Sequence, residues 1–194
     1  MTLDERINHL KKIVLSNPVL ARVLDELERM PEPRPYYYVG AGCVTQTVWN
    51  ALTGREPDYG VKDVDIVYFY PDLSEEKESR MARRIEKRLD WLPLRIDVKN
   101  EARVHLWYER QFGHPIAPYR SVEDAIRTWP TTATSIGVRK AGGDLKLYAP
   151  FGLDDLFGLI VRANKVMIRK EVYVRKVERW VRLWPELTVI PWEV

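Results

Sequence analysis

One cysteine and three histidines among 194 residues leave thiolate and imidazole chemistry almost unprovided for. Cys43 has no partner for an internal disulfide and cannot build a zinc or iron–sulfur framework. His9, His105 and His114 follow no HExxH or other close ligand spacing, so any metal is expected to be a hard, oxygen-bound cation. Long apolar runs are missing too. None reaches the roughly 18 residues that suggest a spanning helix, and MTLDERINHLKK lacks the apolar centre of a secretory leader. The expectation is a cytoplasmic protein with no membrane partner. Charge of one sign is scarce: 31 basic residues face 28 acidic ones. The small excess lies in the second half, where residues 101–194 hold 15 basic and 11 acidic residues against 16 and 17 before them. A chain that is 45% hydrophobic and 30% charged is globular, not disordered or collagenous.

The hydrophobic pattern predicts two short helices at the start. Thr2 and Glu5 fit a capping box before Ile7, Leu10, Ile13 and Val14, and Asn17-Pro18 caps a second helix with Val19, Leu20, Val23, Leu24 and Leu27 inward. Prolines 31, 33 and 35 end it. YYYV then reads as a strand entering a helix that stops at Gly54, and VKDVDIVYFY as a strand rich in β-branched and aromatic residues. A charged helix from about Ser74 to Leu89 precedes the strand PLRIDVKN. Residues 101–110 fit helix or strand alike. TSIGVRKAGGDLKLYAP predicts a hairpin turning at Ala141–Gly143, DDLFGLIV a helix, and Tyr173–Leu183 a last helix. With no repeat and no low-complexity linker, the reading is an N-terminal helical segment over 1–35, an α/β core over 36–150 and a helical C-terminal extension over 151–194 packed on that core.

Asp63-Val64-Asp65 is the sharpest chemical feature. Side chains at i and i+2 of a strand share a face, so both carboxylates project together while Val64 and Ile66 enter the opposite side. Adjacent anions repel and are costly to bury without a cation. Asp97 in LRIDV adds a third acid on another strand. Three carboxylates can hold one or two Mg²⁺ or Mn²⁺ ions and serve phosphoryl or nucleotidyl transfer. The plainer alternative is a solvated sheet face on which Asp97 pairs with Arg95 or Lys99.

Gly40 and Gly42 lie between a strand and a helix start, where phosphate can approach backbone N–H groups. Neither GxxxxGK[ST] nor GxGxxG is present, and a plain turn would use the same glycines. Lys62 points away from the acidic pair in a regular strand. Arg103 and His105 face together only if their segment is a strand. Thr131, Thr132 and Thr134 read as the end of a helix and the start of a strand, and Asp154 and Asp155 as helix caps. From Arg162 to Arg182 there are 8 basic residues, with only Glu171 and Glu178 as acids. Interleaved with Tyr173 and Trp180, they could bind RNA. The favoured reading is amphipathic packing through Val174, Val177, Val181 and Trp184 with the cations solvated.

The run YVGAGCVTQTVWNALTG, then VKDVDIVYF and LRIDV, resembles the nucleotidyltransferase superfamily that includes DNA polymerase beta and the aminoglycoside nucleotidyltransferases. With ARVHLWYERQFG, DAIRTWPTTATSIGVR, YAPFGLDDLFGLIVR and WPELTVIPW, the chain from Tyr38 to Trp192, about four fifths of its length, resembles a little-characterised bacterial nucleotidyltransferase-like family. The resemblance implies a mixed-sheet, polymerase-beta-like α/β core with surrounding helices and a helical C-terminal region. It implies Gly40 and Gly42 as the phosphate-cradling turn, Asp63 and Asp65 as the metal-binding pair, and Asp97 as the third acid, a metal ligand that helps activate an acceptor hydroxyl. Implied partners are a nucleoside triphosphate and an unidentified small-molecule, protein or RNA acceptor. The alternative on the same fold is an inactive nucleotide-binding or RNA-interacting regulatory protein. One departure stands out: Gly42-Cys43 replaces the usual Gly-Gly or Gly-Ser, and a thiol is a weak donor.

Overall fold

The computed structural model describes residues 2–193. Helix α1 (Leu3–Ser16) opens on the expected reciprocal box between Thr2 and Glu5, and α2 (Pro18–Glu28) on Asn17, whose side chain accepts from the Val19 and Leu20 amides. Strand β1 (Tyr37–Gly40) runs into α3 (Gly42–Leu52), β2 (Asp63–Tyr68) into α4 (Glu75–Arg88), and β3 (Arg95–Asn100) into α5 (Val104–Phe112). After the short α6 (Val122–Ile126), β4 (Gly137–Ala141) and β5 (Asp144–Tyr148) form the predicted hairpin, with Gly142 and Gly143 at positive φ in its turn. Then follow α7 (Asp154–Phe157), β6 (Ile160–Val161), α8 (Lys170–Leu183) and β7 (Thr188–Val189).

The main sheet has the order β3-β2-β1-β4-β5, parallel only between β2 and β3. Its mixed character follows from the connections: α4 carries the chain over to a parallel neighbour, whereas a hairpin turn joins β4 and β5. One face carries Val39, Val64, Ile66, Tyr68 and Val138 into a continuous core shared with α1, α2, α3, Ile85 of α4 and Tyr173, Trp180 and Trp184 of α8. The other face is thinner. There Tyr38 and Val67 pack with Val122 and Ile126 of α6, beside Trp129.

One open alternative resolves and two local expectations change. Residues 101–110 are helical, a 3₁₀ turn (Glu101–Arg103) leading into α5, because the Asn100 side chain caps the Ala102 amide. Asp154 and Asp155 are not the caps of α7; Leu153 occupies that position without a side-chain bond, Asp154 pairs with Arg6, and Asp155 accepts from Thr132 at 2.6 Å and Arg162 at 3.0 Å. The helix expected over DDLFGLIV stops at Phe157 because Leu159 adopts φ 53°, and Ile160–Val161 instead pairs with β7.

Candidate functional site

The strand register builds the site. Asp65 lies opposite Gly40 of β1 on one side and Asp97 of β3 on the other, and Asp63 lies opposite Arg95. Strand alternation therefore brings Asp63, Asp65 and Asp97 to one face, with Arg95 and Lys99 among them. Asp63 and Asp65 make no ion pair among the described residues, whereas Asp97 accepts from Lys99 at 2.7 Å and lies 3.5 Å from Arg95. The alternative pairing considered for Asp97 is thus realised, while the other two acids remain unbalanced.

That imbalance is visible in the protonation equilibria. Burial, then repulsion from Asp63 and Asp97, pushes the Asp65 carboxyl up to about 7; Lys176 and Lys99 oppose the rise without cancelling it. Glu101, which the sequence reading passed over, is a fourth acid in this field. It is 5% exposed, and desolvation raises its carboxyl to about 8, with Lys99 opposing the rise and Asp65 and Asp97 adding to it. Lys176 of α8 was also missed. Burial lowers its ammonium pKa, and Asp65 and Asp63 act against the fall. The only sequence signal for either residue was position: Glu101 directly follows the third acidic strand, and Lys176 sits in the basic stretch.

The glycine turn divides in two. A Cβ on Gly40 would lie 2.6 Å from the Ile136 carbonyl and 2.7 Å from the Trp129 ring, so packing alone requires glycine there. On Gly42 a Cβ would meet only the tip of Gln46, at 3.1 Å. Between them Ala41 takes φ 52° and ψ −128°, a strained conformation for a residue with a side chain, and α3 begins without a side-chain cap. Its first amides therefore point out from the end of β1 with the positive end of the helix dipole. The Cys43 thiol is buried and donates to the Gly40 carbonyl at 3.2 Å, so it closes the turn instead of facing a ligand.

As a cation site, the donor set fits in chemistry and only partly in placement. Two unpaired, partly buried carboxylates on one strand face suit a hard divalent ion. Among the described residues no group of three or more His, Cys, Asp or Glu side chains is arranged to hold a metal, in keeping with Lys99 engaging Asp97.

Beside the acids opens a cavity of about 1160 Å³, bordered by Lys99, Glu101 and Lys176. Trp107, Tyr108 and Phe112 of α5 and Arg175 and Arg179 of α8 line it. The expected face of the last helix is met in part, with Trp184 buried and Val177 packed against the core. Tyr173, Trp180 and Trp184 are its buried anchors, Val174 is 38% exposed, and Lys176 turns inward toward the acids instead of into solvent.

The remaining candidates are structural. Thr131 and Thr134 bond to each other at 2.7 Å in the interior, and Thr132 is the donor to Asp155 already described. Arg103 bonds the Leu73 carbonyl and pairs with Glu78, while the His105 ring lies elsewhere on the helix with a buried, unpartnered Nδ1. Among the described residues no helix is long and apolar enough to cross a membrane.

Comparison with known proteins places this geometry in context. Residues 35–189 match the family model described as nucleotidyltransferase. Among solved structures, the chain is similar to a protein whose NMR structure is described as revealing a CCA-adding enzyme head domain, with a TM-score of 0.76, 24% sequence identity and 95% of each chain covered. No curated protein matches.

Proposed function

The chain belongs to the nucleotidyltransferase family, and from that premise we propose that it is a divalent-metal-dependent enzyme. It transfers a nucleoside monophosphate from a nucleoside triphosphate to an acceptor hydroxyl and releases pyrophosphate. The observation that carries this reading is the uncompensated acidic pair Asp63 and Asp65, set beside Gly40 where the uncapped α3 begins. Asp63 and Asp65 would hold Mg²⁺ or Mn²⁺, which when bound stabilises charge on the phosphate oxygens and leaving group. The α3 amides from Gly42 onward would receive the phosphates, while Gly40 keeps the turn close to the strand. Asp97, the proposed further metal ligand, would take the acceptor's proton once it leaves Lys99. Fold likeness to a CCA-adding enzyme head domain supports nucleotide addition as the reaction class. The cytoplasm, where nucleoside triphosphates are abundant, is the matching compartment.

The test is pyrophosphate release from each ribonucleoside triphosphate with Mg²⁺ and a pool of candidate acceptors, using wild type and Asp65→Asn. Metal-dependent release lost in the variant is the expected result; equal release from both proteins sinks the assignment.

A second reading is favoured by one observation, the Asp97–Lys99 pair. If that pair persists with nucleotide bound, the protein is a nucleotide-binding regulatory module, and calorimetry would then record metal-dependent nucleotide binding with no pyrophosphate.

A further inference from the structure

Three cations of α8 lack carboxylate partners in a protein that pairs its charges widely, Lys176 standing instead 5.8 Å from the Trp180 ring. Arg162, just before the helix, is held by Asp155, and Lys170 at its start by Glu193. Arg175, Lys176 and Arg179 have no ion pair with any carboxylate among the described residues, and all three border the cavity. Lys176 is partly desolvated, a costly state for a cation without a close counter-charge. Glu171 is the one acid on the same rim of α8, and it too is exposed.

The same cavity is lined by aromatic rings of α5. Tyr108 lies 4.5 Å from Phe112 and 6.2 Å from Trp107, ring centre to ring centre. These rings are only partly buried, unlike the core aromatics. Cations and stacking surfaces lining one cavity suit a ligand that carries both phosphate and a flat ring. The cavity lining includes no residue of β2 or α3, so Asp63, Asp65 and the α3 amides lie outside it. The donor triphosphate has its proposed seat at those groups, and the cavity is left for the second reactant.

We propose that this cavity seats the acceptor and that the acceptor is a nucleotide unit, its base against Trp107 and Tyr108 and its phosphate on Arg175, Lys176 and Arg179. The inference rests on reading Asp63 and Asp65 as the transfer site. A nucleotide unit has two sources, a free mononucleotide or the end of an RNA strand.

The test is binding in EDTA, so that the acidic pair takes no part. Adenosine 5′-monophosphate and a fluorescein-labelled oligoadenylate 12-mer are titrated into wild type, Asp65→Asn, Arg175→Ala/Arg179→Ala, Trp107→Ala and the distant control Arg80→Ala, each checked for an unchanged far-UV spectrum. Binding is expected alike in wild type and Arg80→Ala, and in Asp65→Asn it should persist with its affinity moved by the charge lost beside Lys176. It should weaken about tenfold on loss of the two arginines and about fivefold or more on loss of Trp107. Mononucleotide binding supports a free nucleotide acceptor; binding of the 12-mer alone supports a strand end. If neither probe binds below 1 mM at low salt, or if Trp107→Ala leaves affinity unchanged, the proposal is overturned. Pyrophosphate release tests the acidic pair separately, so the two failures are distinguishable.

Discussion

Asp65 on β2 and Lys176 on α8 each favour the other's charged form, yet both are displaced toward neutrality, because burial outweighs their attraction. The balance at the site is therefore short of positive charge at the acids and short of negative charge at the cavity wall. A metal would correct the first deficit and an anionic ligand the second.

The pH dependence of stability follows from Asp65. Its native pKa of about 7 lies above the usual aspartate value, so the folded chain binds a proton that the unfolded chain has released. Its contribution is neutral below about pH 4, falls as pH rises, and is fully unfavourable above about pH 7. Glu101 acts in the same direction up to about pH 8. Asp65→Asn should therefore match wild type in thermal denaturation at pH 4 and exceed it at pH 8.5 by up to about 4 kcal/mol. Mg²⁺ should raise the wild-type midpoint at pH 8.5, and much less in the variant.

Lys99 competes with any cation for Asp97. Lys99→Met removes that competitor and a like charge from the site, and should tighten Mg²⁺ binding about fivefold, roughly 1 kcal/mol. Calorimetric titration of Mg²⁺ into both proteins checks this, and weaker binding by the variant would contradict it.

The two glycines of the turn should separate in mutagenesis. Gly40→Ala forces a methyl against the Ile136 carbonyl and Trp129, and should cost about 1–3 kcal/mol in urea denaturation. Gly42→Ala meets only the end of Gln46 and should change stability by no more than about 0.5 kcal/mol.

Ala41 stores strain in the same turn. Glycine at this position relieves a side chain held at φ 52°, and Ala41→Gly should stabilise the fold by about 1 kcal/mol, read from the denaturation midpoint.

Asn50 is the polar hinge between α3 and α8. Its side chain donates to the Pro57 and Tyr59 carbonyls and accepts from the Trp184 indole at 2.8 Å, all inside the protein. Asn50→Ala orphans the Tyr59 carbonyl and the Trp184 indole, the Pro57 carbonyl keeping its bond from Asn17, and should cost about 2 kcal/mol, with the loss seen in thermal and chemical denaturation alike.

Local patterns made much of the fold legible. The caps at Thr2 and Asn17, the glycine turn of the β4–β5 hairpin and the alternation through Asp63-Val64-Asp65 all depend on neighbours within a few residues. The site was legible to the same depth. Its acids announced themselves through strand spacing, but Glu101 and Lys176 come from a 3₁₀ turn and a distant helix that only tertiary packing joins to β2. The inward face of α8 was read in part: Trp184 and Val177 pack as their stripe implies, while Tyr173 and Trp180, read as interleaved with the cations, carry further apolar area into the core. Asp154 and Asp155 look like caps in isolation, and distant partners, Arg6 and Thr132, decide otherwise.

Ala41 is the only residue between the end of β1 and the start of α3, and its amide is tied to the Ile136 carbonyl at 3.0 Å. The strand that sits next to Asp65 and the helix whose amides face outward are thus welded by a single peptide unit. Anything bound across the two meets a receptor whose halves keep a constant separation.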